Sequence, residues 1–315
     1  MAEHCIDDTT TSGYPTVTLS CRGTGVDATV APSLGMIVCS LRQRGAELLA
    51  QRGGLGKYAA SGSTMGIPLL HPWANRLSQL SYSVGGRSVS LDPHAPRLHR
   101  DGQGLPMHGL LGAYPGWQIT ERSADARGAR LRGEIDFAAD AELLALFPFP
   151  HTLELEIALR DASLTLTTTL RPSADVAVPI SFGFHPYLQL PGVERATWHI
   201  EAPVGRRLRL DRRMIPTGER EAIFIEPGPL DDRSFDDLFT DLADPATFVV
   251  GGGGRRIALT FESGYRFAQI YAPQDDAFIC FEPMTAPINA LISGDALQFV
   301  APGATYRAAF AIAIA

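Results

Sequence analysis

The segment HTLELEIALRDASLTLTTTLRP, residues 151–172, decides the fold class of this 315-residue chain. Every second residue in 153–159 is leucine or isoleucine, and residues 164–170 repeat the alternation with Thr168 at one of its positions. A period of two places these side chains on one face of an extended strand. The mostly polar residues 160–163 between the two runs predict a turn. The segment therefore predicts a β-hairpin with one buried face and one wetter face.

Similar alternation recurs along the chain, with glycine and proline between the runs. It predicts a hairpin from residues 248–250 and 257–261 around the loop Gly251 to Gly254, another from 117–120 and 129–137, and a closing strand at 305–315. Helical periodicity is weak, with one or two turns over 141–147 before Pro148 ends them. Because no strand–helix–strand rhythm occurs, we expect an all-β fold with few short helices, a single large antiparallel β-sandwich domain over residues 1–315.

Composition argues against several classes of protein. The formal net charge of −7 disfavours a surface that follows nucleic-acid phosphates. No apolar run approaches the roughly 20 residues that a membrane-spanning helix needs, and the first 15 residues have neither the basic nor the apolar region of a secretory signal. The four cysteines lack CxxC spacing and are expected to be reduced. We therefore expect a cytoplasmic protein without nucleic-acid or membrane partners, while its oligomeric state stays open.

Two polar segments in the first third of the chain are candidates for a binding site. Asn75 and Arg76 follow the apolar, proline-rich residues 66–74, and a guanidinium in such a place can donate to several hydroxyl groups at once. An arginine that pairs with a structural carboxylate is the alternative. His108 precedes Gly109, which permits close backbone approach and is typical of a pocket wall. A structural histidine would give the same pattern.

Two further candidates are framed by aromatic residues. His185 lies between Phe184 and the Pro186-Tyr187 pair, so its backbone is restricted. A rigidly held imidazole in an apolar wall suits acid–base chemistry, although a packing histidine is the alternative. Asp236 and Asp237 lie between two phenylalanines. Asp236 can face hydroxyl groups while Asp237 points elsewhere, or the pair caps a helix or closes a turn.

Glu282 is the most informative single residue. It ends the apolar run Ala277-Phe-Ile-Cys-Phe281, where an unpaired carboxylate is costly. Burial of this kind raises a carboxyl pKa and favours a general base. A structural glutamate paired with arginine is the alternative.

The chain lacks the common cofactor and metal signatures. No HxH, HExxH or CxxC spacing occurs, no GxGxxG or GxxxxGK[ST] loop is present, and no GxSxG elbow is found. We therefore expect acid–base chemistry without a metal or a cofactor.

Taken together and in this order, these segments resemble the aldose 1-epimerase (galactose mutarotase-like) family. The matching pieces are Asn75-Arg76, His108-Gly109 with a following Trp117, His185-Pro186-Tyr187, Phe235-Asp236-Asp237-Leu238-Phe239 and Phe281-Glu282-Pro283. The resemblance implies a β-supersandwich fold with a monosaccharide bound in an open cleft. The chain departs from the family pattern at Leu110, where many members have a second glycine, and at Pro287-Ile288-Asn289-Ala290.

The resemblance also implies an activity and residue roles. A mutarotase interconverts the α and β anomers of a free aldose by acid–base ring opening and closure. Glu282 matches the family's general base and His185 its general acid. His108 matches a histidine that orients the substrate, Arg76 and Asp236 match residues that hold sugar hydroxyls, and Asn75 belongs to the same binding segment as Arg76.

Two other functions stay open. A hexose-6-phosphate 1-epimerase would need a basic cluster over the cleft rim, for which Arg87, Arg97 and Arg100 are candidates. A non-catalytic sugar-binding protein on the same fold would not need both His185 and Glu282.

Overall fold

The structure is a computed structural model that describes residues 4–315, and β-strands dominate it. In the first half of the described chain the strands are β1 (His4–Thr11), β2 (Tyr14–Cys21), β3 (Val26–Ala31), β4 (Ile37–Gln43), β5 (Ala46–Glu47), β6 (Leu69–Leu70), β7 (Ser81–Val84), β8 (Arg87–Ser90), β9 (Gln118–Asp125), β10 (Gly128–Asp136), β11 (His151–Arg160) and β12 (Ser163–Pro172). They are followed by β13 (Val178–Ile180), β14 (Gly183–Phe184), β15 (Tyr187–Leu188), β16 (His199–Glu201), β17 (Arg206–Leu210), β18 (Pro216–Ala222), β19 (Gly228–Pro229), β20 (Phe235–Thr240), β21 (Ala246–Gly252), β22 (Arg255–Ser263), β23 (Phe267–Ala272), β24 (Ile279–Met284), β25 (Gln298–Val300) and β26 (Tyr306–Ile314).

Helical segments are short. The α-helices within residues 4–315 are α1 (Gly54–Ser61), α2 (Ala141–Leu146) and α3 (Ala290–Ser293), with 3₁₀ turns at Pro32–Leu34, Phe137–Ala139 and Arg195–Thr197. The predicted helix before Pro148 is confirmed as α2, whose N-terminal amides donate to the Asp140 carboxylate. In this described part of the chain, no helix is long and apolar enough to cross a membrane.

The hairpin predicted at residues 151–172 is the centre of a nine-stranded antiparallel sheet. Its strands β11 and β12 pair as expected, and the complete order is β19-β16-β21-β22-β26-β12-β11-β10-β9. The other predicted hairpins are β9–β10 and β21–β22, and the closing strand is β26. Gly251 and Gly252 belong to β21, which corrects the predicted four-glycine loop. The turn itself is Gly253-Gly254, and both residues have the positive φ that a two-residue hairpin favours.

An eight-stranded sheet packs against the nine-stranded one and carries the candidate site. Seven of its strands follow the order β18-β17-β20-β23-β24-β14-β6, and β15 also pairs with β24. Aromatic contacts join the two sheets: Phe248 lies 5.2 Å from Phe281 and Phe310 lies 5.1 Å from Phe184, measured between ring centres. The main hydrophobic core lies between these sheets. The all-β architecture of packed antiparallel sheets predicted from the sequence is thereby confirmed.

The remaining strands complete the fold at its margins. β1 to β5 form a five-stranded antiparallel sheet in sequence order, and β7–β8 and β13–β25 are separate pairs. Strand β1 also lies beside β9 and β10 of the nine-stranded sheet.

We predict that Leu166→Ala destabilises the protein strongly, because Leu166 on β12 is fully buried in the main core. Truncation of a core leucine costs about 2–5 kcal/mol. Ile119→Ala is the control, since Ile119 lies on the edge strand β9 and is 42% exposed; it should shift stability by no more than about 0.5 kcal/mol. Urea unfolding followed by tryptophan fluorescence measures both. Equal effects of the two substitutions would contradict this packing.

Candidate active site

The six residues predicted to form the site all line one cavity of about 340 Å³. They are Asn75, Arg76, His108, His185, Asp236 and Glu282. The cavity reaches the surface, since exposed residues such as Arg52 and Arg100 form part of its wall. Its volume is at the lower end of the range for small-molecule sites, about 300–1,000 Å³. The structure therefore brings together residues from five separate segments of the sequence.

The eight-stranded sheet provides one wall of this cavity through strict alternation. On β24, Cys280 and Glu282 share a face, while Phe281 points into the main core. Glu282 is paired in register with Gln269 on β23. Asp236 on β20 lies across from Tyr271, two residues further along β23 and on the same face. Segments that are 46 residues apart in the sequence thus present their polar groups to one cavity.

His185 follows β14 directly, and its ring is held by stacking. The Tyr187 ring lies parallel to it at 4.3 Å, with an interplanar angle of 8°. The backbone amide of His185 donates to the carbonyl of Pro68 at 3.2 Å. The Tyr187 hydroxyl is in turn fixed by Arg52 Nη1, which donates to it at 2.9 Å, and by Thr64 Oγ1 at 2.6 Å. Position and ring orientation of the imidazole are therefore set by its neighbours.

His185 and Glu282 are in direct contact. His185 Nε2 lies 3.3 Å from Glu282 Oε1, and the side chains are 6% and 2% exposed. Glu282 Oε2 and His185 Nδ1 are buried without a hydrogen-bond partner among the described residues. The two groups therefore form a contact pair beside the cavity. No arginine forms an ion pair with Glu282 in the described chain, so the structural alternative for this residue is not observed.

Burial drives the pKa values of the two groups in opposite directions. It raises the pKa of Glu282 well above its usual value, with a further increase from the Asp236 charge and an opposing effect of Arg76. It lowers the pKa of His185 well below its usual value, and His108 and Arg52 add to this effect. Both shifts favour the uncharged form. Between the lowered pKa of His185 and the raised pKa of Glu282, the pair therefore holds a single proton.

Arg76 both pairs with a carboxylate and lines the cavity, so the two alternatives considered for it from the sequence hold together. Its Nε donates to Asp101 Oδ2 at 2.7 Å and its Nη1 to Asn75 Oδ1 at 3.0 Å, yet the guanidinium also lines the cavity. The backbone is fixed from the other side by Asn289, whose amide donates to the Arg76 carbonyl. Asn289 Oδ1 accepts from the amide of Ser78. The departure from the family pattern at residue 289 thus supports the binding segment from outside the cavity.

His108 is joined to the Asn75 segment by the backbone. Its amide donates to the carbonyl of Asn75 at 2.8 Å, and both residues have positive φ, 62° and 55°. Its ring meets that of His185 edge-on at 5.5 Å. Burial, with Arg76 and His99, lowers the pKa of His108 to about 3. His108 is therefore a neutral imidazole that faces the acid–base pair.

Asp236 lies in a strand, so neither a helix cap nor a turn explains it. Its Oδ1 accepts from Gln269 Nε2 at 2.7 Å, and burial raises its pKa. Asp237 points to the opposite face, where Arg207 donates to it at 3.4 Å. As the sequence predicted, Asp236 faces the cavity and Asp237 points elsewhere.

Several cavity residues were not predicted as site residues. They are Arg52, Thr64, Tyr187 and Tyr271, with Gln269 behind them. Tyr187 follows His185 by two residues, a spacing that a strand places on one face, so this signal was available. Arg52 sits in the turn Gln51-Arg52-Gly53-Gly54, which has no local mark of a pocket residue.

Two of the three arginines proposed for a phosphate-binding rim lie outside the cavity. The Arg87 guanidinium packs on Phe149 and that of Arg97 on Tyr114. Only Arg100 of that set lines the cavity. Of the three candidates for a basic rim, Arg87 and Arg97 therefore do not contribute to the cavity.

Possible metal ligands lie away from this site. Within residues 4–315, ligand atoms of His4, Cys21 and Asp161 lie within 4.8 Å of one another. His4 Nε2 already accepts a hydrogen bond from the Asp161 amide at 3.1 Å. None of the three residues lines the cavity.

Comparison with known proteins identifies the family of this chain. Residues 17–313 match the family described as aldose 1-epimerase. The chain belongs to the aldose 1-epimerase family. A galactose mutarotase-like protein from Clostridium acetobutylicum superimposes with a TM-score of 0.86 at 18% identity, with 99% of each chain covered. A galactose 1-epimerase from Lactobacillus acidophilus NCFM gives 0.77 at 13%, covering 100% of this chain and 99% of the other.

Among curated sequences, this family member is similar to the protein YihR of Escherichia coli (strain K12). The two are 22% identical over 262 residues, which cover 78% of this chain and 80% of YihR. At such identities, the solved structures establish the fold and leave the substrate open.

We predict that Gly109→Ala destabilises the fold at this site. Gly109 has φ +70°, and an added Cβ would overlap the carbonyl group of His71. Strain of this kind costs about 1–3 kcal/mol before the overlap is counted. Gly102→Ala in the same loop is the control, because no atom lies within 4 Å of its added Cβ. Thermal unfolding of both variants measures the difference, and an unchanged Tm for Gly109→Ala would refute the packing.

Proposed function

We propose that the protein is an aldose 1-epimerase in activity as well as in family, and that Glu282 and His185 are its acid–base pair. One observation carries the proposal: two buried titratable groups touch at 3.3 Å beside a cavity of monosaccharide size. The ring oxygen and the anomeric hydroxyl of a sugar are bonded to the same carbon. An acid and a base that serve both oxygens must therefore lie close together.

The proton balance of ring opening fits a pair that holds one proton. Glu282 takes the proton of the anomeric hydroxyl, the bond between C1 and the ring oxygen breaks, and His185 delivers a proton to that oxygen. The carboxylate and imidazolium become a neutral acid and a neutral imidazole, and the sugar becomes an open aldehyde. Rotation about C1–C2 presents the other face of the carbonyl, and the reverse transfers close the ring to the other anomer.

Desolvation and attraction oppose each other in this pair. Burial favours the neutral form, which accompanies the open-chain sugar, while the short distance favours the ion pair that starts the reaction. A reversible proton transfer through this pair requires that the two forms be close in free energy. Each positioned transfer contributes about 10²–10⁴-fold to the rate.

The neighbouring polar groups suit the binding of hydroxyls. Arg76 and Asn75 present donors, and Asp236 presents an acceptor whose carboxylate is held by Gln269. His108 is a neutral imidazole with an unpartnered Nδ1, so it can form a hydrogen bond with the sugar. A site built on such groups rejects ligands that lack the matching hydroxyls.

Pure α and β anomers of several aldoses, dissolved fresh and followed by NMR, test the activity directly. Acceleration of the approach to anomeric equilibrium supports the proposal. Sugar binding without acceleration would assign the chain to the non-catalytic sugar-binding class.

We predict that Glu282→Gln lowers the turnover number by about 10²–10⁴-fold, the contribution of one positioned proton transfer. The amide retains the shape of the side chain, so sugar binding measured by calorimetry should persist. Glu262→Gln, on the exposed side of β22, is the matched control and should retain activity. Full activity of Glu282→Gln in a polarimetric assay would exclude this residue as the base.

We predict a bell-shaped pH profile of kcat/KM. In the Asp236→Asn variant the alkaline limb of this profile should move to lower pH, so that the active pH range becomes narrower. Activity requires one proton on the pair, so the acid limb follows the lowered pKa of His185 and the alkaline limb the raised pKa of Glu282. The Asp236 charge raises the pKa of Glu282, and its removal should move the alkaline limb to lower pH.

Asp237→Asn is the control for this shift. Asp237 lies on the opposite face beside Arg207, so the alkaline limb should stay in place. An alkaline limb that moves to higher pH in Asp236→Asn would contradict the proposed origin of the Glu282 shift.

A further inference from the structure

Arg52 is a cavity residue whose charge has no carboxylate partner in the described chain. Its Nη1 donates to the Tyr187 hydroxyl at 2.9 Å, and its guanidinium lies 5.0 Å from the centre of the Tyr187 ring and 5.5 Å from that of Phe278. Aromatic contacts of this kind hold a guanidinium in place without neutralising it. The remaining N–H groups of Arg52 are available at the mouth of the cavity.

The backbone of Arg52 is unfavourable for an arginine. Its φ is +46°, and the turn that contains it is closed by the Gly54 amide, which donates to the Gln51 carbonyl at 2.6 Å. Glycine adopts positive φ without strain, whereas other residues do so at a cost. Gly54 in the same turn also has a positive φ, +78°, but the left-handed position at residue 52 is occupied by arginine rather than glycine. Strain retained at a cavity wall points to a use for the side chain.

The charges of the cavity are divided between two sides. Arg76 is neutralised by Asp101, and its field acts on Glu282, Asp236 and His108. The field of Arg52 acts instead on His185, Tyr187 and Tyr271. Arg100, which also lines the cavity, forms no ion pair with a described residue. The side of the cavity near Arg52 therefore has an uncompensated positive charge.

This side corresponds to a particular part of the sugar. In the reaction proposed above, His185 protonates the ring oxygen, and Arg52 packs on Tyr187, which stacks on His185. In a hexopyranose, the ring carbon on the other side of that oxygen carries the exocyclic carbon. With the ring oxygen at His185, a substituent at that exocyclic carbon would lie toward the wall where Arg52 and Thr64 meet the Tyr187 hydroxyl, next to Ser63.

We propose that Arg52 binds an oxyanion on the exocyclic carbon of the aldose, so that the preferred substrate is an anionic sugar. The inference rests on the proposed epimerase function and names its substrate class. The guanidinium offers paired N–H donors to a carboxylate or a phosphate, and the hydroxyls of Ser63 and Thr64 provide further hydrogen-bonding groups at the same wall. A neutral sugar would leave these donors unmatched.

Anomer exchange of D-glucose, D-glucuronate and D-glucose 6-phosphate tests the proposal, with kcat/KM determined for each sugar. At least one anionic sugar should exceed glucose by tenfold or more, and added salt should reduce that advantage. Comparison of D-glucuronate with D-glucose 6-phosphate identifies whether the site prefers a carboxylate or a phosphate. Equal values for all three sugars, or a preference for glucose, would overturn the proposal.

Arg52→Gln separates recognition of the anion from support of the pocket. The ratio of kcat/KM for the anionic sugar to that for glucose should fall at least tenfold in this variant. Arg97→Gln removes the same charge nearby but outside the cavity, and its ratio should be unchanged. A parallel fall for both sugars in Arg52→Gln would mean that Arg52 only supports Tyr187, which refutes the proposal.

Binding of the same sugars, measured by calorimetry, tests the anion site separately from the proposed epimerase activity. If no sugar shows accelerated exchange, the epimerase proposal fails. Binding of an anionic sugar that is lost in Arg52→Gln would still support the anion site, and equal binding by both proteins would overturn it.

Discussion

The structure depends on the burial of a carboxyl group against an imidazole. Taking Glu282 and His185 out of water penalises both charges, and their mutual contact and the Tyr187 hydroxyl, 3.3 Å from His185 Nε2, offset part of this cost. A pair of this kind is useful only where its geometry is rigid. The molecule provides that rigidity by placing Glu282 within a strand paired on both sides and by stacking His185 on Tyr187.

The two-sheet architecture explains how such a polar cluster is tolerated. Alternation on β24 sends Phe281 into the core between the sheets and Glu282 to the other face, so one strand serves stability and chemistry at once. The same rule separates Asp236 from Asp237 on β20. The apolar face is paired with the nine-stranded sheet. The polar face is thus free to hold groups that an apolar core would exclude.

The sequence predicted most of the fold because hairpins are local. The alternation at residues 151–172 and the glycines before Arg255 are visible in short stretches of sequence. These local signals were enough to predict the strand pairs β11–β12 and β21–β22. The site was predictable only as isolated segments, since the contact of His185 with Glu282 joins residues 97 positions apart. Arg52 escaped prediction for a similar reason: its neighbours in the sequence describe a turn, while its partners Tyr187 and Phe278 lie far along the chain.

The two cavity arginines differ in what the protein does with their charge. Arg76 has Asp101 as a partner, so it can donate to neutral hydroxyls without imposing a net charge on the site. Arg52 has aromatic rings instead, which orient a guanidinium and leave its charge unbalanced. A protein that needed only hydroxyl donors at this wall would gain by neutralising Arg52 or by relaxing its strained turn to glycine. Because the chain does neither, the unbalanced charge is better explained as half of an ion pair that the substrate completes.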